Sequence, residues 1–346
     1  MNAGIGDPRV AAEQRARLLI DRQLADAGWV VQDKKDLNLF FGQGIACREV
    51  VMKPGHGRVD YLLYVDRRVV GVIEAKPEGT TLSGVEWQSA VYATGLPPEA
   101  ERRATTIDGR LPFVFEASGS ETHFTNGYDP NPRARRIFAV PRPSTLATII
   151  RDAEADPANP TWRAKVRHLP TLDSAPLRDA QVKALIGIER SLAEQHHDRS
   201  LVQMATGAGK TYTAVTTAYR LLKFGGFRRI LFLVDRNTLA KQTKGEFENF
   251  RIPGDGRRFT ELYPVDRLTG VGSLDSSNVV ISTIQRVYSV LSGRAVPPDD
   301  DPNLDDFVPD APVTVTYSPG MPPEAFDLVI VDEAHRSIYG VWRGVL

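Results

Sequence analysis

The first half of the chain combines one long helical pattern with several short apolar runs. Apolar residues spaced among charges predict a helix over residues 8–24, which Gly28 and Trp29 end. Three short runs after it predict strands, and a further helix is predicted over about residues 83–93. The strands are Ala46–Met52, Val59–Val65 and Val69–Ala75; the short Asp66–Arg68 segment between the last two predicts a hairpin.

The pattern weakens over residues 96–143 and then changes character. Strands are predicted at Phe113–Ala117 and Ile137–Val140, with a turn at Asn126–Gly127 between them. Proline and small polar residues dominate residues 151–176, a composition typical of a linker. We therefore predict a first domain at 1–150, a linker at 151–176 and a second domain at 177–346.

Apolar strands alternate with helices in the second domain. Strands are predicted at 201–204, 229–234, 279–282 and 326–331, and helices at 178–192, 210–223, 237–250 and 285–291. This alternation predicts a parallel sheet covered on both faces, which would bind ligands at the carboxyl ends of its strands. Residues 294–323, rich in Pro and Asp, predict a loop or a partly disordered insertion.

Composition narrows the class of protein without identifying it. The 346 residues exceed one typical core, and the formal net charge is zero, so any basic surface must be local. The single cysteine, Cys47, excludes an internal disulfide and suits a reducing compartment. No apolar run approaches membrane-spanning length, and we predict a cytoplasmic protein without membrane contact.

A glycine-containing turn follows the apolar run 201–204 and leads into a predicted helix. The turn is Thr206-Gly207-Ala208-Gly209, and Lys210-Thr211 opens the helix. Small residues let backbone N–H groups approach phosphate, and the helix directs its N-terminal dipole at it. Lys210 adds charge, and Thr211 can offer its hydroxyl to Mg²⁺. Met204 stands where the strict phosphate-loop pattern has glycine, so an ordinary turn is the alternative.

Polar residues interrupt the apolar strands of the first domain. Asp60 lies early in one strand, and Glu74 and Lys76 flank Ala75 at the end of the next. A hairpin would therefore bring two carboxylates and an ammonium together. Carboxylate oxygens suit Mg²⁺, and the alternative is a surface ion-pair cluster. With Gln88 and Tyr92 on the following helix, the set resembles the D…ExK…QxxxY signature of RecB-like nucleases of the PD-(D/E)xK class.

That resemblance implies a restriction-endonuclease-like α/β/α fold and roles for its residues. Asp60 and Glu74 would bind Mg²⁺, Lys76 would be catalytic, and Gln88 and Tyr92 would support the site. Glu13, on the first helix, matches an acid found near the metals of such nucleases.

The second domain resembles the first RecA-like domain of a superfamily 2 helicase or translocase. Residues 205–211 match its nucleotide loop, and Asp332-Glu333-Ala334-His335 matches its DEAH box. The resemblance implies that Asp332 holds Mg²⁺, that Glu333 polarises the attacking water and that Arg178 and Gln181 belong to an adenine-reading element. Residues 233–242 and 281–285 resemble segments that grip the DNA backbone.

A nuclease followed by a DEAH-type motor resembles the restriction subunit of type I restriction-modification enzymes. The resemblance implies ATP-driven translocation on double-stranded DNA, Mg²⁺-dependent cleavage, and partner modification (methyltransferase) and specificity subunits. A complete motor needs a second RecA-like domain of about 150 residues, so we expect a fragment that does not turn over ATP alone. The alternatives are another superfamily 2 nuclease-motor, such as a type III-like defence protein, and a catalytically dead nuclease fold that tethers the motor.

Overall fold

Two sheets organise the chain, one within residues 1–161 and the other within residues 162–346, and each belongs to its own unit. The computed structural model describes residues 8–79, 88–268, 274, 276–292 and 317–336, with the backbone alone at 8–13, 88–90 and 336. Among these residues, no helix combines the length and the apolar character that crossing a bilayer requires.

The first unit is a seven-stranded sheet whose strands pair in chain order. The first two strands and the fourth and fifth run parallel, and the other neighbours run antiparallel. The strands are β1 (Val30–Asp33), β2 (Gly44–Val51), β3 (Arg58–Val65), β4 (Arg68–Ala75), β5 (Phe113–Ala117), β6 (Thr122–Asn126) and β7 (Arg135–Ile137). The predicted hairpin is confirmed: Asp66 and Arg67 both take positive φ between β3 and β4.

Helices cover both faces of this sheet. The helix α1 (Pro8–Asp26) buries Ala16, Ile20 and Leu24, which lie one turn apart, and the Tyr61 hydroxyl on β3 donates to Asp21 Oδ1 over 2.9 Å. On the opposite face, α2 (Gln88–Gly95) packs Tyr92 against Leu62 and Val72. The remaining helices of the unit are α3 (Pro98–Glu101) and α4 (Pro143–Ala155). Of the predicted helix 83–93, residues 83–87 lie outside the described residues.

The second unit contains a four-stranded parallel sheet, as the alternating pattern predicted. Its strands are β8 (Ile230–Val234), β9 (Val265–Arg267), β10 (Val279–Thr283) and β11 (Leu328–Val331), in the order β11-β8-β10-β9. Its helices are α5 (Trp162–Lys165), α6 (Asp179–Ala193), α7 (Lys210–Phe224), α8 (Asn237–Asn249), α9 (Phe259–Leu262) and α10 (Ile284–Leu291). Alternate residues of β8 enter separate cores, so both faces of the sheet are covered.

Three sequence predictions differ from the structure. The predicted strand at 201–204 is wrong, because those residues form no ladder and Leu201 is 82% exposed. The seventh strand is Arg135–Ile137, whereas the sequence predicted Ile137–Val140. Ala139 and Val140 are buried in a loop instead. The next residue of that loop, Pro141, accepts a hydrogen bond from Trp29 Nε1 through its carbonyl oxygen. Residues 151–155, assigned to the linker, are the last turn of α4, which buries residues at helical spacing. Of the Pro/Asp-rich stretch, residues 294–316 lie outside the described residues.

Gly71 is required where β4 meets β5. It pairs with Phe113, and a Cβ at Gly71 would lie 2.2 Å from the backbone oxygen of that residue. A backbone atom held in a central ladder cannot move aside, so alanine must displace the strand. The close approach of β4 and β5, and with it the position of Glu74 at the end of β4, therefore depends on this glycine.

We expect Gly71→Ala to destabilise the first unit by about 1–3 kcal/mol, the usual cost of overpacking. Hydrogen exchange of β4 and β5 peptides, read by mass spectrometry, measures the loss of protection in this unit alone. Gly187→Ala, on α6 where a Cβ meets nothing within 4 Å, is the control and should leave exchange unchanged or slower. Wild-type protection in Gly71→Ala would contradict the packing argument.

Candidate functional site

Asp60 and Glu74 face each other across the β3–β4 hairpin. The ladder pairs Tyr61 with Ile73, which sets Asp60 opposite Glu74 at the next position. Asp60 Oδ2 accepts a 2.9 Å hydrogen bond from the backbone N–H of Ala75. The juxtaposition of the two carboxylates that the sequence predicted is therefore present, and the backbone of β4 fixes the orientation of one of them.

The second oxygen of Asp60 is held by an arginine from α1. Arg17 Nη2 lies 2.5 Å from Asp60 Oδ1, and Arg17 Nη1 lies 3.0 Å from Glu49 Oε1. The guanidinium thus neutralises two acids at once at the mouth of the site. Arg17 was not predicted from the sequence, although its position one turn after Glu13 was a signal that the two residues share a helix face.

Two residues that the sequence singled out contact Glu74. The Tyr92 hydroxyl donates to Glu74 Oε1, and Lys76 Nζ lies 3.5 Å from Glu74 Oε2. Burial, followed by the hydrogen bond to Glu74, raises the pKa of Tyr92, so that the phenol remains a neutral donor at physiological pH. Lys76 extends beyond the end of β4, where its backbone N–H donates to Ala117 O over 2.8 Å.

A cleft opens beside Asp60 between α1 and the start of β3. Its volume is about 330 Å³, and both charge signs line it. The lining residues are Gln14, Arg17, Leu18, Asp21, Arg48, Glu49, Asp60 and Tyr61. Charged side chains border this cleft, and Asp60 forms part of its wall.

The donor set of this site fits a hard divalent cation that retains water. Two carboxylates on adjacent strands supply oxygen ligands of the kind that Mg²⁺ takes. Within the described part of the chain, no three His, Cys, Asp or Glu side chains converge as a metal site. Glu13 and Gln88 lie on α1 and α2, but their side chains are outside the described residues.

A third carboxylate lies next to Glu74 and was also missed. Glu116 on β5 pairs with Glu74 in the parallel ladder and is only 4% exposed. A single acid within the apolar run Phe113–Ala117 was the available signal, since buried carboxylates are rare without a partner or a function.

In the second unit, the side chains of Lys210 and Glu333 meet. Lys210 opens α7 and Glu333 follows β11, and Lys210 Nζ lies 2.8 Å from Glu333 Oε1. The hydrogen bond from Asp332 N to Leu233 O, 2.8 Å long, continues the ladder one residue beyond β11. Glu333 then takes a φ of 48°, which turns its carboxylate toward the loop. The hydrogen bond to Glu333 raises the pKa of Lys210, so the lysine stays charged.

The turn before α7 is held from α6 and its N-terminal flank. Arg178 Nη1 donates to Gly207 O at 3.0 Å, and Gln181 Nε2 donates to Gly209 O at 3.3 Å. Gly209 has a φ of +86°, and a Cβ there would meet Gln181 Nε2 at 2.3 Å. Arg178 and Gln181 therefore contact the backbone of the turn directly.

The other residues predicted for the loop lie in the turn or at the start of the helix that follows it. Thr206, Gly207 and Ala208 form the turn, and Thr211 lies in the first turn of α7 beside Lys210. Of the two segments predicted to grip DNA, residues 281–285 are buried, whereas Lys241 on α8 is exposed.

The comparisons with known proteins cover both units. The family model described as "Type III restriction enzyme, res subunit" matches residues 174–346. The type I restriction enzyme EcoKI endonuclease subunit of Escherichia coli (strain K12) is 27% identical, over 94% of this chain and 29% of that protein. The EcoAI endonuclease subunit of Escherichia coli is 26% identical, over 93% of this chain and 36% of that protein.

A solved structure gives a weaker likeness. It is described as the fragment structure of a candidate HsdR subunit of a type I restriction enzyme from Vibrio vulnificus YJ016, is 20% identical, and aligns over 95% of this chain and 51% of that chain with a TM-score of 0.29. The present chain spans about a third of the length of the two curated relatives. It is homologous to type I restriction enzyme endonuclease subunits. Since the family model matches half of its residues, the chain belongs to the family described as type III restriction enzyme, res subunit.

Proposed function

We propose that the chain is the nuclease and ATP-binding part of a type I restriction subunit, which cleaves double-stranded DNA and couples cleavage to ATP-driven translocation. The observation that carries the proposal is the convergence of Asp60, Glu74, Lys76 and Tyr92 at one end of the first sheet. The two curated relatives support it because their similarity covers both units, and both are named endonuclease subunits.

In the nuclease site, Asp60 and Glu74 would hold Mg²⁺. The ion would supply activation of water and neutralisation of charge on the phosphate. Lys76 would orient the attacking water or offset the charge that develops on the phosphate oxygens. Tyr92 holds Glu74 in place through its hydroxyl. Gln88 and Glu13 complete the proposal as a supporting residue and a further acid near the metal.

In the nucleotide site, the backbone of Thr206–Gly209 would surround the phosphates of ATP, and Lys210 would contact them. Thr211 and Asp332 would hold the Mg²⁺ that accompanies ATP and offsets its charge. Glu333 would polarise the attacking water, and Arg178 and Gln181 would form the adenine-reading element. Since Lys210 is paired with Glu333, phosphate must compete for the lysine, and binding would release the glutamate for its role as base.

Partner subunits follow from the same proposal. Modification (methyltransferase) and specificity subunits would supply the recognition of a DNA site. A type III-like nuclease-motor is the second candidate, favoured by the description of the family model over residues 174–346. Modification and specificity genes beside the gene for this chain would decide between them. A dead nuclease fold is disfavoured by the presence of Asp60, Glu74 and Lys76 together.

We expect Glu74→Ala to reduce plasmid cleavage in Mg²⁺ or Mn²⁺ by about 100-fold or more, because a group that stabilises charge in the transition state is lost. The assay compares wild type and variant, first as the chain alone and then in the complex with modification and specificity subunits. Glu101→Ala, a half-exposed acid paired with Lys53, is the control and should cleave as wild type. If the complex that contains the Glu74→Ala variant still cleaves DNA, the assignment of the nuclease site is wrong.

We expect Arg17→Met to increase the affinity of the chain for Mn²⁺ by about tenfold, or ~1.4 kcal/mol. The guanidinium occupies Asp60 Oδ1, so its removal leaves that oxygen free for a cation. Electron paramagnetic resonance of free Mn²⁺ measures binding without any cleavage. Arg48→Met is the matched control, since Arg48 pairs with Asp21 and Asp33 in the same cleft. Equal affinities for all three proteins would contradict competition at Asp60.

We expect Lys210→Ala to weaken binding of an ATP analogue by about 10- to 100-fold, the loss of one charge-assisted contact. Calorimetry with a non-hydrolysable analogue and Mg²⁺ provides the measurement. Lys223→Ala, exposed at the far end of the same helix, removes an equal charge and should bind as wild type. Unchanged affinity in Lys210→Ala would show that residues 205–211 do not hold the nucleotide.

A further inference from the structure

The buried carboxylate of Glu116 lies within the cluster of charged residues around the proposed nuclease site. Its parallel neighbour is Glu74 on β4, and its antiparallel neighbour is His123 on β6. Residues directly paired across a ladder point to the same face of the sheet, so all three share one face. Lys76 lies on this face as well, two residues after Glu74.

One oxygen of Glu116 has no partner among the described residues. Oε2 is buried and accepts no hydrogen bond, while the whole residue is 4% exposed. Burial raises the pKa of Glu116, Lys76 and His123 oppose this rise, and Glu74 adds to it. A buried acceptor that receives no hydrogen bond destabilises the folded state. Packing of the core does not account for a carboxylate at this position, which indicates that Glu116 has another role beside the charged site.

Lys76 is the group that such an acceptor would serve. In the structure its ammonium lies 3.5 Å from Glu74 Oε2, longer than a good charge-assisted hydrogen bond. In the proposed function Glu74 also binds Mg²⁺, which would draw that oxygen away from the lysine. Asp60, the acid opposite Glu74 on β3, would bind the metal as well. Among the described residues, Glu116 is the acid that pairs with Glu74 on the other side and has an oxygen without a hydrogen bond.

Resting on the proposed nuclease function, we propose that Glu116 is a positioning residue for Lys76, holding its ammonium in the site through Oε2 when Glu74 is engaged by the metal. Glu116 acts here without binding the metal itself, which agrees with the lack of a third converging ligand among the described residues. His123, which is paired with Glu116 in the ladder to β6, would also stabilise the charged form of the Glu116 carboxylate.

The first test observes Lys76 directly in the chain labelled with [¹³Cε]lysine. Lys76→Arg identifies the signal of Lys76 in a ¹³C–¹H spectrum recorded with saturating Mg²⁺. We expect Glu116→Gln to shift this signal and Glu121→Gln to leave it in place, since Glu121 is a half-exposed acid paired with Arg136. A Lys76 signal that does not respond to Glu116→Gln would overturn the proposal.

The second test measures single-turnover cleavage in the preparation that cleaves DNA. We expect Glu116→Gln to slow cleavage by about 10- to 100-fold, the usual loss when an outer partner of a reactive group is removed. Glu116→Asp should recover part of the rate, and Mn²⁺ affinity should stay at the wild-type value. If Glu116→Gln weakens Mn²⁺ binding as much as Glu74→Gln does, Glu116 is a ligand and the proposal is wrong.

The two hypotheses fail in different ways. If Lys76→Ala cleaves at the wild-type rate, the proposed nuclease site fails, whatever Glu116 does. If Lys76→Ala is inactive and Glu116→Gln cleaves at the wild-type rate, the nuclease site stands and the role of Glu116 is refuted. Hydrogen exchange of β5 peptides confirms that each variant retains the sheet, which separates a loss of position from a loss of fold.

Discussion

The hydrogen bond from the backbone of Ala75 to the carboxylate of Asp60 fixes the end of the β3–β4 hairpin. Successive N–H groups of a strand point to opposite sides, and that of Lys76 already pairs with β5. The N–H of Ala75 therefore faces β3. Backbone pairing between β3 and β4 ends at the pair Tyr61–Ile73, so no β3 carbonyl pairs with this N–H. Asp60 supplies the acceptor that the backbone no longer offers. Its orientation toward Glu74 is thus a consequence of completing the sheet.

A comparable constraint operates at the end of β11 in the second unit. The ladder to β8 extends as far as Asp332, and the next residue, Glu333, takes a left-handed backbone conformation. Such a conformation costs free energy for a residue other than glycine, and its surroundings must stabilise it. The ion pair with Lys210 provides one such contact. In both units, therefore, acids of the candidate site stand at positions where regular strand pairing ends.

Most strands and helices were predicted from the sequence because their apolar residues recur at regular spacing. Asp60, Glu74 and Lys76 were predicted as neighbours because a short hairpin connection determines which residues of the two strands lie side by side. Arg17 was not predicted, since the partner of a surface arginine depends on how α1 lies across the sheet. Glu116 was missed because the alternation of residues along a strand predicts which face a side chain points to but not which strand lies beside it. Leu201–Met204 was wrong because an apolar run does not guarantee a ladder partner. Each miss depends on tertiary contacts absent from a local pattern.

The acids of both candidate sites are already matched by cations of the chain itself. Arg17 reaches Asp60 from α1, and Lys210 reaches Glu333 from α7. A half-buried carboxylate without such a partner would have a less defined position. A ligand at either site therefore exchanges one ion pair for another instead of introducing a new charge. This exchange lowers the net gain from binding, but it also frees an arginine or a lysine close to the place where phosphate oxygens would arrive.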